Sequence, residues 1–294
     1  MNLRNSVIII DYNGIAMGTI ITQKAGELNE DIIRHMILNT IRMYNKKFRD
    51  QYGDMVIACD GGSWRRDYFP QYKYKRRESR EKDNESKTGM DWDKVFEIMN
   101  KIRDELTQEF PYKVVHVPGV EADDIIATLV EQTQEFGQHE DVMIVSADKD
   151  FIQLHKYNNV RQFSPMTKKF VQEKNPRKYI MEHIFKGDSG DGVPNVLSGD
   201  NVFVDGIRQS PVTKKKIDLW LENIDDLERV MDTETYRNYI RNKKLIDLSE
   251  IPDNVKSEII NTYEAAPVAP KTKILNYLIK NRCRLLIDCV RDFH

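Results

Sequence analysis

Four acidic features each stand directly after an apolar run of strand length. Asp11 follows residues 7–10, Asp60 follows 55–59, Glu121-Ala122-Asp123-Asp124 follows 114–117, and Asp148-Lys149-Asp150 follows 142–145. Any one of these acids can be a helix cap or a loop acid. Several like charges converging on one edge, however, repel and take up protons unless cations neutralise them. Ligation by oxygen alone, without His or Cys, selects Mg²⁺ or Mn²⁺ over zinc, and six or more carboxylates can hold two ions. Two ions roughly 3.5 to 4 Å apart can activate a water and stabilise the leaving oxygen in phosphoryl hydrolysis.

Helical positions three apart share a face and positions two apart do not, so among Glu121, Asp123 and Asp124 some bind through water or act as a cap. Asp188 and Asp191 are also three apart, within Lys186-Gly187-Asp188-Ser189-Gly190-Asp191-Gly192-Val193-Pro194. This glycine-rich turn either folds back to the acidic edge or is simply a turn.

Between Trp64 and Lys82, eight Lys or Arg residues (Arg65, Arg66, Lys73, Lys75, Arg76, Arg77, Arg80, Lys82) face three acids, a local charge of +5. Cations neutralise phosphates and aromatic rings stack on unpaired bases, so this mixture suits single-stranded or frayed nucleic acid. A solvated helix face is the ordinary alternative. The segment's place directly after Asp60 favours function, since it would rise over the acidic edge. Lys214, Lys215 and Lys216, after Pro211-Val212-Thr213, either set lysines and helix-start amides against a duplex backbone or form a plain surface run. The six histidines, His35, His116, His139, His155, His183 and His294, have no shared spacing and receive no catalytic role.

The elements that must position these residues follow from periodicity. The four apolar runs are rich in β-branched residues, as buried strands should be. Helical patterns alternate with them: Asn29 can cap a helix with the stripe Ile33, Ile37, Ile41, Tyr44 and Phe48, and Asp91 can start one with Val95, Ile98, Met99, Ile102 and Leu106. A third runs from about Glu121 to Phe136. This alternation predicts right-handed βαβ crossovers and an α/β fold, a mostly parallel central sheet with helices on both faces, over residues 1 to roughly 165. Runs at 160–163 and 170–172 read as a hairpin leaving that core. From Asn175-Pro176 the chain turns helical, with later helices near 213–222, 233–246, 253–264 and 270–281.

Composition sets the bounds. The chain has 294 residues, 40% of them hydrophobic, enough for a sizeable core. Its aliphatic runs are too short to span a bilayer. The N-terminal residues carry no cleavable hydrophobic region, which leads us to expect a cytoplasmic protein. Cys59, Cys283 and Cys289 support neither a zinc site nor a disulfide framework. A formal charge of −2 does not exclude nucleic acid, because acidic clusters and basic faces cancel in the sum.

With these residues in view, the sequence resembles the 5′-nuclease (flap endonuclease) superfamily and, within it, the ribonuclease H (5′ to 3′ exonuclease) group of T-even-like bacteriophages. The marks are Ile10-Asp11, Cys59-Asp60 followed by Trp64-Arg65-Arg66-Asp67, Glu121-Ala122-Asp123-Asp124, Ser146-Ala147-Asp148-Lys149-Asp150-Phe151 with Gln153-Leu154-His155-Lys156, and Gly187-Asp188 with Asp191. The resemblance implies a PIN-like nuclease core over residues 1–180, with a basic arch at about 64–90, and a helical duplex-binding region over 181–294. It implies that Asp11, Asp60, Glu121, Asp123, Asp124 and Asp148 are acids of a first metal and their neighbours, and that Asp150, Asp188 and Asp191 serve a second. The run Tyr72-Lys73-Tyr74-Lys75-Arg76 resembles the family's Tyr-Lys-x-x-Arg, which casts Lys73 and Arg76 as catalytic cations and Tyr72 as a base-stacking ring. Arg65, Arg66, Lys75, Arg77 and Lys214, Lys215 and Lys216 fall to nucleic-acid binding. Two departures stand out: Gly192 replaces the Asn common after the last acid, and residues 195–211 lack the Gly-Ile-Gly-x-Lys-Thr duplex-binding turn.

The resulting expectation is a two-Mg²⁺ enzyme, with Mn²⁺ as a substitute, acting on 5′-flap or nicked DNA and RNA/DNA hybrids. It would trim RNA primers and adjacent DNA during phage lagging-strand synthesis in the host cytoplasm, as a monomer. The resemblance further implies a single-strand-binding protein and a sliding clamp as partners. A haloacid-dehalogenase-like phosphatase also sets an Asp after its first strand, but Asp11-Tyr12-Asn13 lacks the second Asp that chemistry needs. A non-catalytic DNA-binding replication protein has little reason to gather acids where phosphates approach.

Overall fold

The apolar runs form neighbouring strands of one sheet, and their order explains why the acids after them meet. The structure, a computed structural model, describes residues 6–21, 28–86, 89–134 and 140–294. Strands β1 (Val7–Asp11), β2 (Asp54–Cys59), β3 (Lys113–His116), β4 (Val142–Val145), β5 (Val160–Ser164) and β6 (Lys169–Val171) lie in the order β3-β2-β1-β4-β5-β6. The first five are parallel and β6 pairs antiparallel on the edge. The chain works outward from β1 to β3, then crosses to β4 on the other side of β1. That reversal opens a crevice beyond the carboxyl ends of β1 and β4, the usual ligand position in such sheets.

Helices α1 (Tyr12–Ile20), α2 (Glu30–Tyr52), α3 (Arg65–Tyr68), α4 (Tyr74–Glu85), α5 (Trp92–Glu109) and α6 (Ala122–Gln132) belong to the first half of the chain. Asn29 caps α2 and Asp91 caps α5 through side-chain bonds to backbone N–H groups. Register sets Ile9 beside Val56 and Ile144. Alternate side chains leave opposite faces of a strand, so Ile8 and Ile10 pack under α1, α2 and α5, and Ile9 packs under α6. Burial on both faces is why these strands read as unbroken apolar runs. Phe136, the expected end of the third helix, lies outside the described residues.

The pair β5 and β6 corrects one expectation. It is a hairpin, yet it does not leave the core: β5 pairs in parallel with β4, Ile144 opposite Gln162, and extends the sheet. Phe163, 2% exposed, packs with Tyr44 and Phe48 and draws the strand inward.

Beyond the hairpin run α7 (Pro176–Lys186), α8 (Lys214–Glu222), α9 (Leu227–Val230), α10 (Thr233–Ile246), α11 (Asp253–Ala265), α12 (Lys273–Lys280) and α13 (Arg284–Ile287). Helices α7, α8 and α10 share a core of Phe185, Ile217, Trp220 and Leu245 with Phe69 and Tyr72 from the base of the basic segment. Helix α9 joins that core through Leu227, while the chain from α11 on returns to the sheet: Ile259 joins the α6 face, and Ile274, Leu278 and Phe293 join the other. No helix among the described residues is long and apolar enough to cross a membrane.

Candidate active site

The loops beyond β1, β2, β3 and β4 are tied together by the acids themselves. Asp11 caps α1, accepting the Gly14 N–H and the Ser146 hydroxyl, each at 2.8 Å. Asp60 accepts the Ala122 N–H at 2.7 Å, which holds the start of α6 against the loop after β2. Asp148 follows β4 in an exposed turn and accepts the Asp150 N–H at 2.9 Å. Asp11, Asp60, Glu121, Asp123 and Asp148 share a cavity of about 680 Å³. Arg66, Lys73, Arg76, Arg77, Arg80 and Arg103 line it too.

A second, small cavity of about 10 Å³ adjoins it, lined by Asp123, Asp150, Asp188 and Asp191. Asp123 faces both cavities. The turn at 187–193 reaches this place because Asp188 bridges to Val193, and because the Asp188 carboxylate accepts the N–H groups of Gly190 and Asp191. Gly192, at φ 74°, lies against the base of the basic segment, where a Cβ would sit 3.0 Å from the Gln71 carbonyl oxygen. Asn tolerates positive φ but brings that Cβ, which accounts for Gly here.

Crowding shows in the proton affinities. Burial, with Asp60 and Asp148 nearby, pushes the Asp11 carboxyl up to about 6. Burial also raises Asp60 and Asp191, and together with Asp148 it drives Asp123 and Asp150 well above the usual carboxylate range. Glu121 goes the other way: Lys73 and Arg65 outweigh its burial and hold it low. Burial is the largest cause for each of these raised acids, with neighbouring acids adding to it, and divalent ions would offset both, so the donor set suits them. Seven carboxylates lie outside the Arg65 network and could hold them: Asp11, Asp60, Asp123, Asp148, Asp150, Asp188 and Asp191.

The basic segment divides into two roles. Arg65 is 3% exposed and clamps Asp124 through two bonds of 2.8 and 3.0 Å while also reaching Glu121 at 2.9 Å. This corrects its expected place on nucleic acid, since its donors face carboxylates inside the fold. Asp124, fully buried, also accepts the Trp64 indole N–H and the Glu121 N–H, so its oxygens serve structure. Tyr72 is likewise corrected: it is 3% exposed, packs against Phe69 and Phe185, and lies with its hydroxyl 3.1 Å from Glu121 and 3.0 Å from Asp191.

Arg66 is exposed toward the large cavity. Lys73, at φ 56°, is fixed by its N–H to the Asp191 carbonyl oxygen at 2.7 Å, and its ammonium contacts Glu121 and lies 3.5 Å from Asp191. Arg76 pairs with Asp191 at 2.5 Å and donates to the Gly190 carbonyl. Arg77 caps Pro70 and Tyr72 carbonyls, and Lys75 lies over the Phe203 ring at 4.8 Å. Lys214, Lys215 and Lys216 open α8 on the exposed surface outside the acid cavities, with Lys214 paired to Asp218.

One residue missed from sequence belongs here. His183, near the end of α7, lies with Nε2 3.4 Å from Asp150 and 3.7 Å from Asp188. Only its five-residue spacing from Asp188 was visible in the chain. Arg80 and Arg103 gave no separate signal, since their helices place them on the cavity wall.

A parallel sheet with acids beyond its strand ends, overlooked by cations suited to phosphate, defines a nuclease. Comparisons with known proteins agree. Residues 7–183 match the 5′-3′ exonuclease N-terminal resolvase-like domain, and residues 175–293 match the T4 RNase H C-terminal domain. The ribonuclease H of enterobacteria phage T4 is 36% identical over 99% of this chain and 96% of its own length. A 5′-3′ exonuclease of Buchnera aphidicola is 30% identical over 54% of this chain and 53% of its own. The chain belongs to the 5′-3′ exonuclease family, in the branch of the phage T4 ribonuclease H, and is a hydrolytic phosphodiesterase.

The fold is also that of bacteriophage T5 proteins. One, crystallised with metal ions, superposes with a TM-score of 0.64 at 18% identity, covering 89% of this chain and 99% of that one. Another, a flap endonuclease in a pseudo-enzyme-product complex with DNA and metal ions, gives 0.63 at 19% identity over 88% and 99%.

Proposed function

We propose that this protein is a Mg²⁺-dependent 5′ to 3′ exonuclease and flap endonuclease with RNase H activity. It would remove RNA primers and adjacent DNA during phage lagging-strand replication, in the cytoplasm of the infected bacterium. The observation that carries this reading is the shared cavity, in which five carboxylates and six Lys or Arg residues face one space. A lone binding surface for polyanions gains nothing from those acids.

Asp11, Asp60, Asp123 and Asp148 would hold one ion and Asp150, Asp188 and Asp191 the other, with Asp123 between them. Divalent ions bound there supply a water of lowered pKa and neutralise charge on the leaving oxygen. Lys73 and Arg76, drawn to Asp191 in the free protein, are placed to turn to the scissile phosphate once metal neutralises that acid. Arg66, Arg80 and Arg103 would guide the strand in, and Lys214, Lys215 and Lys216 would meet the duplex backbone. We take residues 1–180 as the core and 181–294 as the duplex-gripping region. A single-strand-binding protein and a sliding clamp are the partners this role calls for, and Mn²⁺ should replace Mg²⁺.

The test is cleavage of 5′-labelled nicked duplex, 5′ flap and RNA/DNA hybrid in Mg²⁺. All cleavage should vanish on chelation and in Asp148→Ala. Undiminished cutting in both would end the proposal.

A further inference from the structure

We propose that His183 supplies an imidazole nitrogen ligand to a divalent ion held with Asp150 and Asp188, making that position a mixed nitrogen and oxygen site. The proposal rests on the reading above that the acids hold divalent ions. Three elements build it. Asp150 begins the 3-10 segment Asp150–Lys156, His183 stands in the last turn of α7, and Gly187, at φ 66°, ends α7 so that Asp188 turns back beside it.

The ligand atoms of the three side chains lie within 4.8 Å of one another. Nε2 is 3.4 Å from the Asp150 Oδ1 and 3.7 Å from the Asp188 Oδ2. Those separations are too long for good hydrogen bonds. Ligands about 2.1 Å from a common centre lie roughly 3 to 3.5 Å apart, a range that includes the Asp150 separation and that the Asp188 separation exceeds slightly. Nε2 is itself buried and makes no hydrogen bond among the described residues. A buried ring nitrogen without a partner is unusual. The His183 ring lies parallel to the Tyr179 ring, with centroids 6.2 Å apart and the planes 12° apart.

The consequence is a difference between the two ion positions. The large cavity offers carboxylates of the kind that suit Mg²⁺, whereas imidazole suits the later first-row metals. The position at His183 should therefore favour ions such as Fe²⁺, Ni²⁺ or Zn²⁺ over Mg²⁺ more strongly than its neighbour, and Mn²⁺, which carboxylates also hold, serves as the paramagnetic probe.

Mn²⁺ bound to the full chain, without DNA, tests this through electron spin-echo modulation, which reports a directly coordinated ¹⁴N nucleus. The expected result is nitrogen modulation in the unmodified protein and none in His183→Gln. The same variant should lose affinity at one of two Mn²⁺ sites by about tenfold or more, since even partners behind a ligand typically matter that much. Mn²⁺ bound without nitrogen modulation, or modulation persisting in His183→Gln, would overturn the ligand assignment while leaving the acids as metal ligands. Failure of Mn²⁺ to bind at all would overturn both.

Discussion

Arg65 and Asp124 form a fully buried pair, with guanidinium nitrogens 2.8 and 3.0 Å from the carboxylate oxygens and side chains 3% and 0% exposed. The pair joins the segment after β2 to the first turn of α6, and so fixes the wall of the cavity to its floor. Removing one partner of such a pair leaves an uncompensated buried charge. Arg65→Ala should destabilise the protein by about 3–5 kcal/mol, and Arg65→Lys should rescue little because it cannot restore the fork geometry. Arg66→Ala, one residue on and exposed, should weaken DNA binding and change stability by less than about 0.5 kcal/mol. Urea unfolding beside DNA titration separates them. If Arg65→Ala unfolds like the unmodified protein and loses DNA affinity instead, the structural role is wrong.

That contrast shows where the sequence stops being informative. The four strands were legible because burial on both faces leaves no polar residue between Val7 and Ile10 or between Val142 and Val145. Asp11 and Asp60 were legible because their strands end beside each other, and a parallel sheet sends its loops to one edge. Arg65 and Arg66 look alike as letters, however, and only the packing of α3 under Leu245 turns one inward. Tyr72 reads as a stacking ring until α7 and α10 are seen to bury it. His183 needed the docking of α7 against residues 150–156, a contact that no local spacing records.

Asp11 should trade stability for function. Its folded-state pKa, about 6, lies above the unfolded value, so the folded chain holds this proton more tightly. Its contribution to stability is full below about pH 4 and is lost as pH rises through about 6. The loss amounts to roughly 3 kcal/mol in the metal-free protein. Asp11→Asn removes it and keeps an acceptor for the Gly14 N–H. Unfolding in chelator should find the variant more stable than the unmodified protein at pH 7.5 and equal to it near pH 4. Mg²⁺ should narrow the gap by stabilising the unmodified protein more than the variant, which keeps the other six acids. Equal stability at pH 7.5 without metal would refute the assignment.

Lys73 neutralises Glu121 and Asp191 in the free protein. Burial works against its charge, yet those acids hold it protonated, above the ordinary lysine range. Lys73→Ala should therefore move two observables in opposite directions. With the ammonium gone the site is more negative, so divalent ions should bind more tightly. Loss of a preorganised cation should lower kcat on a flap substrate on the order of a hundredfold to a thousandfold. Calorimetric Mg²⁺ titration and single-turnover cleavage read the two separately. Weaker metal binding together with unchanged kcat would exclude a catalytic role.

The two basic regions should answer salt differently. Arg66, Arg80 and Arg103 line the cavity, where a single strand would enter, whereas Lys214, Lys215 and Lys216 project from the start of α8 outside it. Each phosphate neutralised releases counterions, and log K falls with log salt by about 0.9 per contact on duplex and about 0.7 on a single strand. Replacing all three lysines with Ala should flatten the slope on nicked duplex by about one to three and leave a single-stranded substrate unaffected. Lys214 already pairs with Asp218 at 2.8 Å, so it should contribute the least of the three. Arg66→Ala should flatten both slopes, because a flap and a free strand reach the same wall. Equal slopes for the triple variant and the unmodified protein on nicked duplex would remove α8 from the duplex interface and leave the arch as the principal phosphate contact.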